Sequence, residues 1–230
     1  MKKIAIVQSN YIPWKGYFDL INQVDEFVLY DEVQYTRRDW RNRNKIKTPL
    51  DLKWLSIPVI VKGKYFQQIN ETKISDKNWA KNHWNVIKQN YSKAEYFKDY
   101  KAIFEDLYLN CKDQYLSQIN YKFIVEINKI LGINTIIRWS EEFDLIEGKT
   151  DKLLGICKEC NTDIYLSGPA AKNYLNEGIF TSNNIKIEWM DYSNYIKYNQ
   201  LSDPFEHSVT ILDLIFNEGR NATKFMKSFN

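Results

Sequence analysis

At 230 residues the chain has ample length for a core, and 8 Gly with 5 Pro leave little composition for long linkers or disorder. Its 32 basic and 29 acidic side chains give a net charge of only +3, which excludes the global basic field that marks many nucleic-acid proteins. No stretch approaches the roughly 18 apolar residues of a membrane span, and the opening "MKKIAIVQSNYIPWKG" has too short an apolar run for a secretory signal, so no membrane insertion and a cytoplasmic location are expected.

"KKIAIV" (residues 2–7) is a short β-branched run that reads as a strand, and "GYFDLINQV" (16–24) has helical spacing. "EFVLY" (26–30) is a second strand, followed at once by a basic loop, "VQYTRRDWRNRNKIKT" (33–48). "KWLSIPVIV" (53–61) is a third strand candidate, with Pro58 marking an edge or strand end. Three helices follow. Ser75 or Asp76 is the expected cap of the first, which runs to Tyr91 with Trp79, His83, Val86, Ile87 and Asn90 on one face. "AEYFKDYKAIFEDLYLN" (94–110) repeats aromatics at helical spacing, and "DQYLSQINYKFIVEINKILG" (113–132) ends at a helix-stopping Gly132.

The remainder alternates. "INTIIRW" (133–139), "DIYLSG" (163–168) and "IKIEWM" (185–190) read as strands. "TDKLLGICKEC" (150–160) reads as a helix capped by Thr150, "PAAKNYL" (169–175) as one with Pro169 at its first position, and "SVTILDLIFNEG" (208–219) as one stopped by Gly219. This order predicts an α/β fold: a mostly parallel sheet of about five to six strands flanked by helices, in a single domain over 1–230 with a helical insertion at about 75–131.

Cys157 and Cys160 form a C-x-x-C pair, but no second pair or histidines stand at zinc-ligand spacing, and the pair closes a helical pattern instead of opening one. Reduced thiols and no metal site are expected.

In parallel sheets, ligands collect beyond the carboxyl ends of the strands. Three strand-end turns carry unusual residues. The first places Gln8, Ser9, Asn10 and Tyr11 at the exit of the first strand, with Lys15 and Gly16 opening the next helix. The second, Ser167-Gly168-Pro169, starts a helix whose amides, with Lys172, make an anion cradle. The third is the basic segment: Asp31, Glu32 and Gln34 leave the second strand, and Arg37, Arg38, Arg41, Arg43, Lys45 and Lys47 follow, with Asn42 among them and Tyr35 and Trp40 interleaved. Guanidinium groups suit bidentate phosphate contacts and Trp40 suits stacking on a base. With no other basic stripe to extend a groove, the segment reads as a compact anion clamp. His83 shares its helix face with Trp79, which suits a core imidazole, or a general base matched to neutral pH.

The stretches "AIVQSNYIPWKGYFDLI", "DEFVLYDEVQYTRRDWRNRNKIK", "WLSIPV" and "DIYLSGPAAKNYL", together with the ending "SVTILDLIFNEG", resemble the WbqC-like protein family of bacteria. The similarity spans essentially the whole chain. Where the family usually shows Gln-Pro in the first motif, this chain has Gln8-Ser9. The resemblance implies a place among products of O-antigen, capsule and flagellin-glycan gene clusters, and the addition of glycyl or other acyl groups to nucleotide-linked amino sugars. The first turn also resembles, by position, the nucleotide-binding turn of adenylate-forming ligases such as pantothenate synthetase, with "DEVQY" placing Gln34 where that superfamily has a substrate-binding glutamine. Those enzymes carry histidines in the first turn, and "PWKGYF" has none; Lys15 would take their place.

The expected activity is N-acyl transfer to the amino group of a nucleotide-linked amino-deoxysugar. His83 or Asp31 would accept the amine proton. Arg38, Arg41, Arg43 and Lys45, with Asn42, would bind pyrophosphate or an acidic donor. Ser167, Gly168 and Lys172 would hold a second anion, and Gln8, Tyr11, Lys15, Gln34 and Trp40 would orient sugar, acyl group or base. The donor would be an acyl-CoA, an acyl-carrier protein or an aminoacyl-tRNA, or the acid would be activated by ATP. The alternatives are an ATP-dependent adenylate-forming amide ligase and a non-catalytic module that binds nucleotide sugars or nucleic acid.

Overall fold

A computed structural model describes residues 1–229. Five short strands, β1 (Lys3–Val7), β2 (Glu26–Leu29), β5 (Ile136–Trp139), β6 (Ile164–Ser167) and β7 (Lys186–Trp189), form one parallel sheet in the order β5-β2-β1-β6-β7. Helices cover both faces, so the central strands are nearly continuous apolar runs and β6 is buried at every position. Ala5, Phe27, Leu29 and Leu166 face the larger core, whereas Ile4, Ile6, Val28 and Tyr165 face the smaller one. That alternation is the period of two expected of strands.

The larger core is capped by α1 (Lys15–Asn22), by the insertion α2 (Trp79–Tyr91), α3 (Phe97–Leu109) and α4 (Leu116–Leu131), and by α7 (Ile211–Glu218). α5 (Lys149–Glu159) and α6 (Glu177–Ser182) cover the smaller core. No helix among the described residues is long and apolar enough to cross a membrane.

Sequence and structure differ in four places. The third strand candidate does not join the parallel sheet. Only Leu52–Ser56 is extended (β4), and it pairs antiparallel with β3 (Arg43–Lys47), which lies inside the predicted basic loop. Pro58 sits just past the end of β4, where its missing N–H interrupts no ladder. Neither Ser75 nor Asp76 caps α2; Asp76 accepts the Asn78 amide at 2.8 Å and the helix opens one residue later. Gly148 precedes α5, so Thr150 lies inside the helix. The segment after β6 is a 3-10 turn, Pro169–Asn173, and α6 is a further short helix that the spacing does not announce.

Two devices hold the helical layer together and tie it to the β3–β4 hairpin. Asp213 on α7 is fully buried and accepts from the Tyr91 hydroxyl, the Tyr198 hydroxyl and Gln200 Nε2, each at 2.8 Å. The Tyr91 oxygen also receives the Lys47 amide at 3.0 Å, which ties the hairpin to α2 and α7. Burial raises the Asp213 carboxyl above its usual range, against those donors. The second device is Phe216, completely buried, with ring centroids of Tyr91, Phe97 and Phe104 at 5.4, 5.1 and 5.3 Å. Gly219 ends α7 at φ 55°, and a Cβ there would lie 2.4 Å from the Tyr96 ring, so only glycine fits. Truncating Phe216 to Ala leaves a cavity where three elements meet. The F216A variant is expected to lose about 3–5 kcal/mol in urea unfolding, with an unchanged m-value.

Candidate functional site

Numbered within the parallel sheet alone, the strand order is 3-2-1-4-5. The chain winds outward from β1 through β2 to β5, then crosses back to β6 and winds the other way. β1 and β6 are neighbours whose following turns diverge, and this divergence opens a crevice beyond their carboxyl ends. A cleft of about 710 Å³ lies there. Gln8 and Asn10 line it from the turn after β1, and Ser167 and Gly168 from the turn after β6. Its walls are aromatic: Trp14, Tyr17, Tyr30, Trp40, Tyr165, Tyr174 and Tyr192. Lys149, the first residue of α5, is the one cation among the lining residues, and it has no ion-pair partner among the described residues.

The turn after β1 is braced from behind. Asp31, 1% exposed at the end of β2, accepts the Ser9 amide at 2.8 Å on one oxygen and the Ser117 hydroxyl on the other. Asn120 on α4 donates to Ser9 Oγ and to the Arg41 carbonyl, both at 2.9 Å. Arg41 donates to Asn10 Oδ1 and lies 3.5 Å from Asp39. The Gln8 carbonyl accepts from the Tyr17 hydroxyl at 3.0 Å. The Gln8 side-chain amide has no hydrogen-bond partner among the described residues and borders the cleft. Burial pushes the Asp31 carboxyl up, opposed by the donors from Ser117 and Ser9 and by the Arg41 charge. Asp31 and Arg41 thus fix the cleft wall without lining it.

Glycine serves this wall in two ways. A Cβ on Gly16 would fall 2.3 Å from the Trp14 ring, so Gly16 lets that indole lie against α1. A Cβ on Gly168 would meet only the Tyr192 hydroxyl, at 3.9 Å, so protein packing does not demand glycine there.

The remaining sequence-predicted residues lie elsewhere. Tyr11 is fully buried, its hydroxyl 2.9 Å from His83 Nδ1 and 2.7 Å from the Tyr108 hydroxyl. His83 Nε2 is 3.2 Å from the Ser56 carbonyl. A carbonyl only accepts, so Nε2 carries the proton, Nδ1 accepts from Tyr11, and Tyr11 accepts from Tyr108. His83 does not line the cleft. Lys15 points away from it, donating to the Ile196 carbonyl at 3.1 Å and lying over the rings of Tyr195 (4.8 Å) and Tyr198 (5.2 Å). Burial pushes its ammonium down to about 8. Gln34 Nε2 donates to the Tyr65 carbonyl at 2.9 Å, and Asn42 Nδ2 to the Ile57 carbonyl at 2.8 Å. Lys172 lies 5.3 Å from the Trp189 ring. The Arg38 carbonyl accepts from Arg43, whose guanidinium lies 4.1 Å from the Trp54 ring, and Lys45 sits between Trp54 (5.3 Å) and Trp40 (5.8 Å).

The cleft therefore gathers Gln8, Trp40, Ser167 and Gly168 from the predicted set, and none of its arginines. Sequence reasoning passed over Lys149 and the tyrosines as site residues. The signal for Lys149 is Gly148-Lys149 at a helix start, the mirror of Lys15-Gly16; Tyr165 and Tyr174 lie within "DIYLSGPAAKNYL".

Sheet order and cleft define a doubly wound α/β protein with an open cleft at its switch point. The chain belongs to the WbqC-like protein family, whose sequence profile matches residues 8–225. A relative from Mycobacterium tuberculosis (strain ATCC 25618 / H37Rv), named "Uncharacterized protein Rv1507c", is 46% identical over 227 residues, 99% of this chain and 98% of its own length. No solved structure matches the chain.

Burial pushes the His83 imidazole down to about 4, with the Ser56 contact opposing. An unfolded histidine takes up its proton near 6.5. Stability linked to His83 is therefore full above pH 6.5 and falls as pH drops towards 4, by about 3 kcal/mol at the end of that window. Comparing the wild type with His83→Gln by urea unfolding from pH 7.5 to 4.5 should show the wild type losing the larger share of stability.

Proposed function

We propose that the protein is an N-acyltransferase acting on the amino group of a nucleotide-linked amino-deoxysugar. The observation that carries this reading is the switch-point cleft: aromatic walls, neutral hydrogen-bonding groups and a single cation. Tyrosine and tryptophan faces suit a sugar ring and a nucleobase. Gln8, Asn10 and Ser167 suit hydroxyl and amide groups, and Lys149, helped by the amino end of α5, suits a phosphate. Family membership supports the setting.

Acyl transfer to an amine needs the amine neutral, a group to take its second proton, and a donor for the developing oxyanion. Asp31 and His83 act in this reading as positioning residues, since each has its polar atoms engaged inside the protein. Glu32 suits the proton transfer better. It lies three residues past the end of β2, its charge helps raise the Tyr30 phenol after burial, and its Oε2 is shielded from solvent with no hydrogen-bond partner among the described residues. Glu32 is not itself among the lining residues, but it stands next to Val33, which is, and an orphaned carboxylate oxygen there calls for a partner that arrives with the ligand. The amine attacks the acyl carbonyl, Glu32 takes the proton, and the Gln8 side-chain amide donates to the oxyanion before the carrier leaves.

A second reading, ATP-dependent amide ligation on the same substrates, draws on the strand order, which suits nucleotide binding. The deciding assay incubates purified protein with dTDP- and UDP-linked amino sugars and with acyl donors, each with and without ATP, and follows the sugar by mass spectrometry. An acyl mass increment without ATP is expected; no increment with any pair would sink both readings. Glu32→Gln is expected to lower kcat about 100-fold at unchanged KM, and Lys149→Ala to raise KM for the nucleotide sugar about 10-fold.

A further inference from the structure

We propose that Trp40, Trp54, Arg43 and Lys45 form a second nucleotide site, a stacking platform beside the cleft that holds the base and phosphate of the acyl donor. The donor assignment rests on the transfer reading; nucleotide binding by the platform stands apart from it.

The geometry follows from strand pairing. In the β3–β4 ladder Lys45 stands opposite Trp54 and Arg43 opposite Ser56, so these side chains share one face. The other face carries Asn44, Ile46 and Leu55, all buried. Trp40 comes in from the preceding turn, its ring centroid 5.4 Å from that of Trp54 and the planes 39° apart. Each indole is 40% exposed, unlike Trp79 and Trp84, which are buried.

The cations show what is missing. Arg43 and Lys45 rest against indole rings, and neither forms an ion pair among the described residues. Arg43 Nε is shielded from solvent and has no hydrogen-bond partner among the described residues. A guanidinium donor shielded from water calls for an acceptor, and a phosphate oxygen is the acceptor that guanidinium geometry fits. Exposed indoles with adjacent uncompensated cations are the means by which proteins hold a base and its phosphate without reading sequence.

Place supports the role. Trp40 lines the cleft and also a recess of about 200 Å³ shared with Asn10, Trp14 and Asn44. Trp40 is thus the one platform residue that also borders the cleft holding Gln8. A nucleotide and its phosphates could reach this site as coenzyme A or as the end of a single-stranded RNA, and the probes separate the two.

Isothermal titration calorimetry of the full chain with ADP, ribose 5-phosphate, coenzyme A and a short oligoadenylate tests the site without any turnover. ADP is expected to bind at least 10-fold tighter than ribose 5-phosphate. Trp54→Ala should weaken ADP at least 10-fold, Trp54→Phe should keep most of the affinity, and Arg43→Gln should weaken ADP and flatten its salt dependence. Lys158→Ala, exposed on α5 and lining neither space, should leave ADP affinity unchanged. Tighter coenzyme A marks a small donor and tighter oligoadenylate a polynucleotide end. Equal affinity for ADP and ribose 5-phosphate, or full ADP affinity in both Trp54→Ala and Arg43→Gln, overturns the proposal, whatever the transfer assay shows.

Discussion

The buried carboxylate of Asp31 joins the parts of this protein that matter for its site. It is where the end of β2, the turn after β1 and the helix α4 meet, through the Ser9 amide and the Ser117 hydroxyl. Asn120, one turn along α4, extends the knot to Ser9 Oγ and the Arg41 carbonyl, so the basic segment is moored to the same point. Taking a carboxylate out of water is unfavourable unless donors surround it, and these donors are of that kind. The helical insertion is thereby more than a cover for the sheet: it supplies the residues that set the shape of the first strand-end turn.

The same economy appears in the treatment of positive charge. Of the basic segment, Arg41 is turned inwards to brace Asn10, Arg43 and Lys45 lie on indoles, Arg37 donates to the Val61 carbonyl, and Lys47 reaches the Pro204 carbonyl. What looks in the chain like one anion clamp is distributed over several tasks, most of them mechanical. The cleft is left nearly neutral and aromatic, with Lys149 arriving from a different part of the chain.

The parallel sheet was legible because its strands are short, β-branched and buried on both faces, and the helices because their aromatics recur at helical spacing. β3 was hidden because its inward positions are Asn44 and Ile46, and only one of them is apolar. Asn44 is buried there because its Nδ2 donates to the Ile12 carbonyl at 2.8 Å, a long-range bond with no trace in local pattern. The strand-end rule located Gln8, Ser167 and Gly168, since backbone topology decides where those residues stand. It could not place the arginines, whose long side chains reach partners set by tertiary packing. Nor could it single out five cleft tyrosines from 16 in the chain, most of which could equally well pack in a core.

Trp40 borders both the cleft and the recess shared with Asn10, Trp14 and Asn44, and the Tyr11 amide donates to its carbonyl at 3.1 Å, which anchors the backbone while the indole stays partly exposed. One side chain forming the partition between two compartments makes them thermodynamically dependent. Any displacement of the ring enlarges one space at the expense of the other. Occupants of the two sides would then influence each other's affinity by equal factors, in whichever order they arrive.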